Sequence, residues 1–301
     1  PEAEVRAVSD LVDESIKAGF YNIDIDTSTL VDLSQPTVDE QQRNNFEVCA
    51  NLTASIRNQE PEGTTISVGG EIGEIGEKNS DETELRAFMD GYYRSLPKGM
   101  TGLSKISIQT GTAHGGVPLP DGTLAQVKID FNVIKELSKV ARDVYGMAGA
   151  VQHGASTLPD EAFNQFVQNE AAEVHLATGF QNIVYDHEVF PGKLRQRIYD
   201  HIKTAHAKER KEGQTEEQFI YKTRKKGCGP FKAELWGLPE DVRGAIRSSL
   251  EDKFGFLFDQ LNAGDTMELA ARYAPHIEMH KGLDDYGVTA SVAEDTSELA
   301  D

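Results

Sequence analysis

Through the first 190 residues, short apolar runs alternate with stretches of 3.6-residue periodicity. Val5, Val8, Leu11, Val12, Ser15 and Ile16 share one helical stripe and predict a helix over about 2–18. The run Tyr21–Asp26 predicts a strand. A helix starts near Thr37, where Thr37-Val-Asp-Glu40 reads as a capping box. Next come a strand at Thr65–Glu71, a glycine-interrupted loop and a helix at about 81–95. Strands at 105–110 and 147–152 enclose a helix at about 130–146. Thr157-Leu-Pro-Asp160 starts a further helix, with Pro159 at an early helical position. The last strand is Ala172–Thr178. Strands that alternate with helices imply a parallel sheet.

Beyond residue 190 the pattern turns helical, with segments at about 191–211, 216–222 and 239–262. Residues 281–301 are acidic and poor in large apolar side chains, which predicts a loose tail. The expected organisation is an α/β unit over 1–190, a helical extension over 191–280 and an acidic flexible tail over 281–301.

Two of the predicted strands end alike. Ile106-Ser-Ile-Gln-Thr-Gly-Thr-Ala-His114-Gly and Met147-Ala-Gly-Ala-Val-Gln-His153-Gly each close an apolar run on His-Gly, one βα unit apart. In a (β/α) barrel the carboxyl ends of neighbouring strands converge on one mouth, where chemistry takes place. Two imidazoles meeting there point to a metal site. A lone strand-end histidine is more often structural; the repetition is what favours ligands.

Composition narrows the field. A net charge of −20 argues against nucleic acid and against anionic membrane surfaces as partners. It leaves a phosphorylated substrate open, because glycine-loop amides and helix N-termini bind phosphate without a basic exterior. No apolar run reaches about 18 residues, so no membrane span is expected. Cys49 and Cys228 form no CxxC and no disulfide framework, which fits a cytoplasmic setting.

The strand-end residues in order are Asp26 and Ser28, Glu71, His114, His153 and His175. They sit in Ile25-Asp-Thr-Ser28, Glu71-Ile-Gly73, Gly111-Thr-Ala-His-Gly115, His153-Gly-Ala-Ser156 and Val174-His-Leu-Ala-Thr178. This ordered set resembles the class II, metal-dependent ketose-bisphosphate aldolases over about 1–185. It resumes near Leu261-Asn-Ala-Gly-Asp265. The resemblance implies a (β/α)8 TIM barrel, here without its first strands, carrying the C-terminal helical extension. It implies a lyase that cleaves or forms a ketose (bis)phosphate through a dihydroxyacetone-phosphate enediolate. It also implies a zinc ion or other divalent metal, a monovalent cation beneath the phosphate turns, and a homodimer.

By the same resemblance, His114 and His153 are metal ligands, with Glu71 beside them. Gly115, Gly154, Ser156 and Thr178 hold the substrate phosphate, and Lys232 is a further phosphate candidate. Within the basic run Lys222–Lys226, a solvated turn competes with reach into a neighbouring subunit's site. Glu71 is equally readable as a buried carboxylate bonded to its neighbours. Asp26 and Ser28 are as readily mouth-shaping as binding residues.

The family's third histidine belongs to an Asp-His pair on an earlier strand, and no histidine precedes His114 here. About three further strands before Pro1 are therefore expected; the alternative is a non-catalytic barrel subunit that lacks the pair. Two departures bear on chemistry. His175 stands where the family has an Asn that contacts the enediolate; as a catalytic candidate it either donates to the enediolate oxygen as that Asn does or serves as a further metal ligand, with packing at the rim as the plain alternative, and it hints at a different sugar substrate. The loop after Glu71 reads Gly73-Glu-Ile-Gly-Glu-Lys-Asn79, so proton transfer falls to Glu77 first and Glu74 second.

Overall fold

Along the strands, alternate side chains are mostly aliphatic, and these turn outward to meet helices. The computed structural model describes residues 2–73, 78–111, 119, 129–275, 277–280, 282 and 285. Its five strands are β1 (Asn22–Ile25), β2 (Ser67–Glu71), β3 (Lys105–Ile108), β4 (Ala150–Gln152) and β5 (Glu173–Val174). They pair in parallel in chain order, β1-β2-β3-β4-β5. The helices against them are α1 (Glu2–Lys17), α2 (Val38–Arg57), α3 (Glu82–Ser95), α4 (Phe131–Tyr145) and α5 (Phe163–Gln168).

Ile23, Ile25, Val68, Ile106 and Ile108 share one core with Phe46 and Ile56 of α2, Phe88 and Tyr92 of α3, Leu137 of α4 and Phe166 of α5. Each such side chain contributes about 1.5–3 kcal/mol on burial. This outer layer therefore drives folding. The concave face cannot do so, because it is polar.

That polarity is tied to curvature. Neighbouring strands lie about 4.8 Å apart, so β1 and β5 of a flat sheet would be roughly 19 Å apart. Here Asn22 Nδ2 of β1 donates to Glu173 Oε1 of β5 at 3.3 Å. Lys105 Nζ of the central strand reaches Asn22 Oδ1 at 2.5 Å and Glu173 Oε1 at 2.6 Å. The sheet is thus strongly curled around Lys105. The five parallel strands are those the sequence predicts, and a full eight-stranded barrel is not formed among the described residues. Five strands make a half-barrel, and its outer strands meet through side chains, with no backbone ladder between β5 and β1 among the described residues.

Local signals explain the element ends. Thr37 caps α2 by accepting from the Glu40 amide at 3.3 Å. The expected reciprocal bond differs: the Glu40 carboxylate accepts from the Thr37 hydroxyl at 2.7 Å rather than from its backbone. Asp81 and Glu84 form a full capping box on α3. Only Val12 and Ile16 of the predicted α1 stripe are buried, because α1 packs on α2; Val8 and Leu11 remain exposed. Pro159 precedes a 3-10 turn at Asp160–Ala162 that leads into α5, rather than standing inside a helix.

The strand expected over Ala172–Thr178 is shorter. Ala172 and His175 amides bond to β4 carbonyls at 2.8 Å, and then the chain turns. It enters a helix absent from the sequence reading, α6 (Thr178–Asp186), followed by α7 (Gly192–Ala205) and α8 (Glu216–Thr223). The short α9 (Lys232–Trp236), the long α10 (Glu240–Gln260) and α11 (Met267–Tyr273) complete the described helices. The helix expected to run to residue 211 stops at Ala205 and gives way to a 3-10 turn.

Tyr185, Phe190, Ile198, Phe219 and Ile246 form a second apolar cluster. Helix α10 joins the two clusters, with Ile246 in the second and Leu257 in the first. Arg224 ties this region together: it grips Asp186 through two bonds of 2.6 and 2.7 Å and Asn182 through one of 2.6 Å. Within the basic run Lys222–Lys226 it is therefore a buried structural ion, not a solvated one. No helix among the described residues is long and apolar enough to cross a membrane. The acidic segment 281–301 lies outside the described residues apart from 282 and 285.

The two thiols differ in environment. Cys49 is fully buried and its pKa is pushed up to about 12 by that burial, whereas Cys228 is exposed. The thiolate is the reactive form. A thiol reagent should therefore label Cys228 alone in the native protein and both cysteines after unfolding, as mass spectrometry of the labelled peptides would show.

Candidate metal centre

On the concave face the strands present Asp24, then Asp26 beyond the end of β1; Gly69 and Glu71; Lys105 and Ser107; His153 just past β4; and Glu173 and His175. Strand register places Asp24, Gly69 and Lys105 in one row and Glu71, Ser107, Val151 and Glu173 in the next. Gly69 is required by close approach. A Cβ there would lie 2.1 Å from Asp24 Oδ1 and 3.0 Å from Lys105 Cε. Without it, Lys105 Nζ reaches Asp24 Oδ1 at 3.1 Å.

Above these rows the two imidazoles face each other, with His153 Nε2 2.8 Å from His175 Nδ1 and ring centroids 4.6 Å apart. The outer nitrogens meet carboxylates. His153 Nδ1 lies 3.5 Å from Glu71 Oε2, and His175 Nε2 lies 2.5 Å from Glu173 Oε1 and 3.2 Å from Asp24 Oδ2. Ser107 Oγ stands 3.4 Å from His153 Nε2. Histidines whose second nitrogen is held by a carboxylate are the usual form of metal-ligating imidazoles.

Electrostatics point the same way. Burial pulls the His153 pKa down, but Glu71, Asp24 and Asp26 outweigh it and raise it above the ordinary histidine value. Burial also disfavours the charged form of Glu173, yet bonds from His175 and Lys105 lower its pKa to about 2. Among the described residues, the carboxylates of Asp24, Asp26, Glu71 and Glu173 surround the imidazoles, against the ammonium of Lys105. Asp24 Oδ1 is buried and is balanced by the Lys105 ammonium at 3.1 Å, while Oδ2 faces His175 Nε2 at 3.2 Å. Donor atoms of Asp24, His153 and His175 come within 4.8 Å of one another. Two nitrogens on one tetrahedral zinc stand about 3.3 Å apart, so a small opening of the imidazole pair admits an ion. The residues present fit a divalent cation.

A cavity of about 260 Å³ opens beside the imidazoles, lined by His153, Gly154, Ser156, His175, Leu176, Ala177 and Thr178. Gly154 takes φ 71°, the left-handed region that glycine adopts freely, and starts the 3-10 turn Ala155–Thr157. Ser156 Oγ accepts from the Ala177 amide at 2.8 Å, which pins this turn to the start of α6.

Five residues singled out from the sequence, His153, Gly154, Ser156, His175 and Thr178, therefore share one cavity, with Glu71 against His153. Asp26 instead serves its own turn, accepting from the Ser28 amide at 3.0 Å and hydroxyl at 2.7 Å. Lys232 stands apart on α9, its ammonium 4.8 Å from the centre of the Trp236 ring. Glu74, Glu77, His114 and Gly115 lie outside the described residues. Asp24, Lys105, Ser107 and Glu173 escaped the sequence reading. Their signal is the alternation in Asn22-Ile-Asp-Ile-Asp26 and Lys105-Ile-Ser-Ile-Gln109. A parallel strand buried on both faces reads as continuously apolar, so alternating polar positions mark a polar inner face.

The family model for class II fructose-bisphosphate aldolase matches residues 7–227. The chain belongs to the class II fructose-bisphosphate aldolase family. No curated protein matches it. Among solved structures, a "probable tagatose 6 phosphate kinase" from Sinorhizobium meliloti 1021 aligns at TM-score 0.50 and 14% identity, over 91% of this chain and 69% of that one. A "putative fructose-1,6-biphosphate aldolase" from Coccidioides immitis aligns at TM-score 0.47 and 14% identity, over 87% and 70%. The YdjI aldolase from Escherichia coli K12 aligns at TM-score 0.35 and 14% identity, over 77% and 66%. At such identity a structural likeness speaks to fold alone.

Proposed function

We propose that the protein is a divalent-metal-dependent aldolase that cleaves or forms a ketose phosphate. The observation that carries this reading is the pair His153–His175. Their inner nitrogens face each other at 2.8 Å, with carboxylates on both outer nitrogens, at the rim of the cavity that also holds Gly154, Ser156 and Thr178.

When bound, a divalent ion, zinc first, supplies Lewis-acid polarisation of the substrate carbonyl. His153 is among its ligands, with His114 as the partner read from the sequence. Glu71 accepts from His153 Nδ1 and keeps that ring oriented. The Gly154 turn, Ser156, Thr178 and the amides opening α6 receive the phosphate, as oriented backbone amides do. That anion enters a site rich in carboxylates, so it needs the cation as counter-charge. Proton transfer falls to Glu77, with Glu74 as the alternative, on sequence position alone. A monovalent cation beneath the phosphate turns, a homodimer and a cytoplasmic setting belong to the same proposal.

The test is release of triose phosphate from a panel of phosphorylated ketoses, epimeric 1,6-bisphosphates included, by the zinc-loaded protein. Cleavage of at least one, suppressed by a chelator, is expected. A zinc-loaded, folded protein that cleaves none of them would overturn the proposal.

A further inference from the structure

We propose that a second cavity, between the Ala155–Thr157 turn, α6 and α10, binds a small aromatic or branched aliphatic monocarboxylate. This ligand is distinct from the ketose phosphate, and its site involves neither the metal nor the imidazoles.

The walls come from several elements. Thr157 closes the 3-10 turn, Phe163 opens α5, Phe180 lies in the first turn of α6 and Leu257 in α10. The cavity measures about 340 Å³, near the lower end of the roughly 300–1,000 Å³ of small-molecule sites. A single ring or a short branched chain fits such a volume. Leu158, Phe163, Leu176, Phe180 and Leu257 make the lining mostly apolar. Leu158, Phe163 and Leu257 belong to the main core, so the fold itself shapes the cavity rather than an adaptable loop.

Two polar side chains stand among these walls. Thr157 Oγ1 is buried and makes no hydrogen bond, a state that costs free energy until a partner arrives. Rotation about χ1 exchanges the methyl and hydroxyl of a threonine, so a ligand oxygen against Thr157 receives that donor. Lys253, from α10, supplies positive charge to the lining. Its ammonium donates to Asp160 Oδ1 at 2.6 Å and stands 5.4 Å from the centre of the Phe163 ring. An ammonium carries three N–H donors, and Asp160 takes one of them. A partly exposed ammonium beside an apolar cavity selects an anion with an apolar body. The ketose phosphate does not suit these walls, because its hydroxyls would lie unbonded against Leu158, Phe180 and Leu257.

Ser156 and Leu176 line both this cavity and the one beside the imidazoles. The Ala177 amide donates to Ser156 Oγ at 2.8 Å, and a Cβ on Gly179 would lie 2.7 Å from the Ser156 carbonyl oxygen. The turn and the start of α6 are thus in close contact and form the wall that the two cavities share. That wall keeps the carboxylate off the metal.

Fluorobenzoate is the probe, and its binding to the whole chain is followed by fluorine NMR. The wild type should bind it with a Kd of about 1 mM or tighter, the range open to a ligand of this size. Ile183→Trp, which fills the cavity from α6, should weaken binding at least about 10-fold, and Thr157→Val about 3–10-fold. Lys253→Met should weaken it at least about fivefold while leaving the affinity of the neutral fluorobenzyl alcohol unchanged. His153→Ala should bind fluorobenzoate as the wild type does. No binding by the wild type at about 10 mM overturns the proposal. So does binding that survives both Ile183→Trp and Lys253→Met within twofold, or binding that His153→Ala abolishes, since the probe then sits beside the imidazoles. Equal wild-type affinity for the benzoate and the alcohol overturns the choice of a carboxylate. If Ile183→Trp does not fold, crystals of the wild type soaked in fluorobenzoate decide: the probe between α6 and α10 upholds the proposal, and the probe elsewhere alone overturns it. None of these outcomes touches aldol cleavage, so this site and the aldolase reading stand or fall separately.

Discussion

His153→Ala is expected to abolish cleavage while leaving the chain folded. The imidazole meets the polar groups Glu71, His175 and Ser107, and its side chain is 19% exposed. Its removal opens no apolar cavity, so stability should change by no more than about 1 kcal/mol. The catalytic loss is far larger. Every proposed ligand set includes His153, and losing the ion forfeits several kcal/mol of charge stabilisation. At 1.36 kcal/mol per factor of ten, that corresponds to a fall in kcat of about 10³ or more. Zinc content and kcat should fall together, while the unfolding midpoint of the metal-free variant stays at that of the metal-free wild type. Full zinc content and full kcat in the variant would remove His153 from the site.

Lys105→Met should have the largest effect on stability. Methionine keeps the length and volume of the stem but leaves Asp24 and Glu173 without their counter-ion. Lys105 is 3% exposed, whereas Asp24 and Glu173 are 22% and 30% exposed. Breaking a fully buried pair costs about 3–5 kcal/mol, and the partial exposure of the carboxylates puts this case near 3. That is a large share of the 5–15 kcal/mol typical of a folded chain. Adding Glu173→Gln should restore part of it, because an amide no longer needs the cation. Urea unfolding checks both: a midpoint shift without a slope change is a stability loss. A loss under about 0.5 kcal/mol would mean that water, not Lys105, satisfies the two carboxylates.

The same lysine marks the boundary of what was legible in the sequence. The outer layer was open to reading, because aliphatics at alternate strand positions and 3.6-residue stripes in α2, α3 and α4 follow from burial alone. That was enough for five parallel strands. The closing helix α6 was missed because Leu176, Ala177 and Thr178 prolong the apolar run of β5. What ends the strand there is a tertiary contact, Ser156 with the Ala177 amide.

The site divides in the same way. His153 and His175 stood out through their place at strand ends. Asp24, Lys105 and Glu173 did not, since each resembles the solvated half of an amphipathic strand. Only curvature turns that face inward and brings Asn22 of the first strand to Glu173 of the fifth. No single strand encodes the meeting. Glu71 fell between the two cases. Its strand-end position was plain from the sequence, while its contact with the outer nitrogen of His153 needed three dimensions.

The central claim is that the concave face binds a divalent ion on which aldol cleavage depends. Metal reconstitution tests it most directly: the protein is stripped with a chelator, then titrated with Zn²⁺ while triose phosphate release from its ketose phosphate is followed. The stripped protein should be inactive, and activity should rise linearly and break at one ion per chain. Undiminished cleavage by the metal-free protein would contradict the claim.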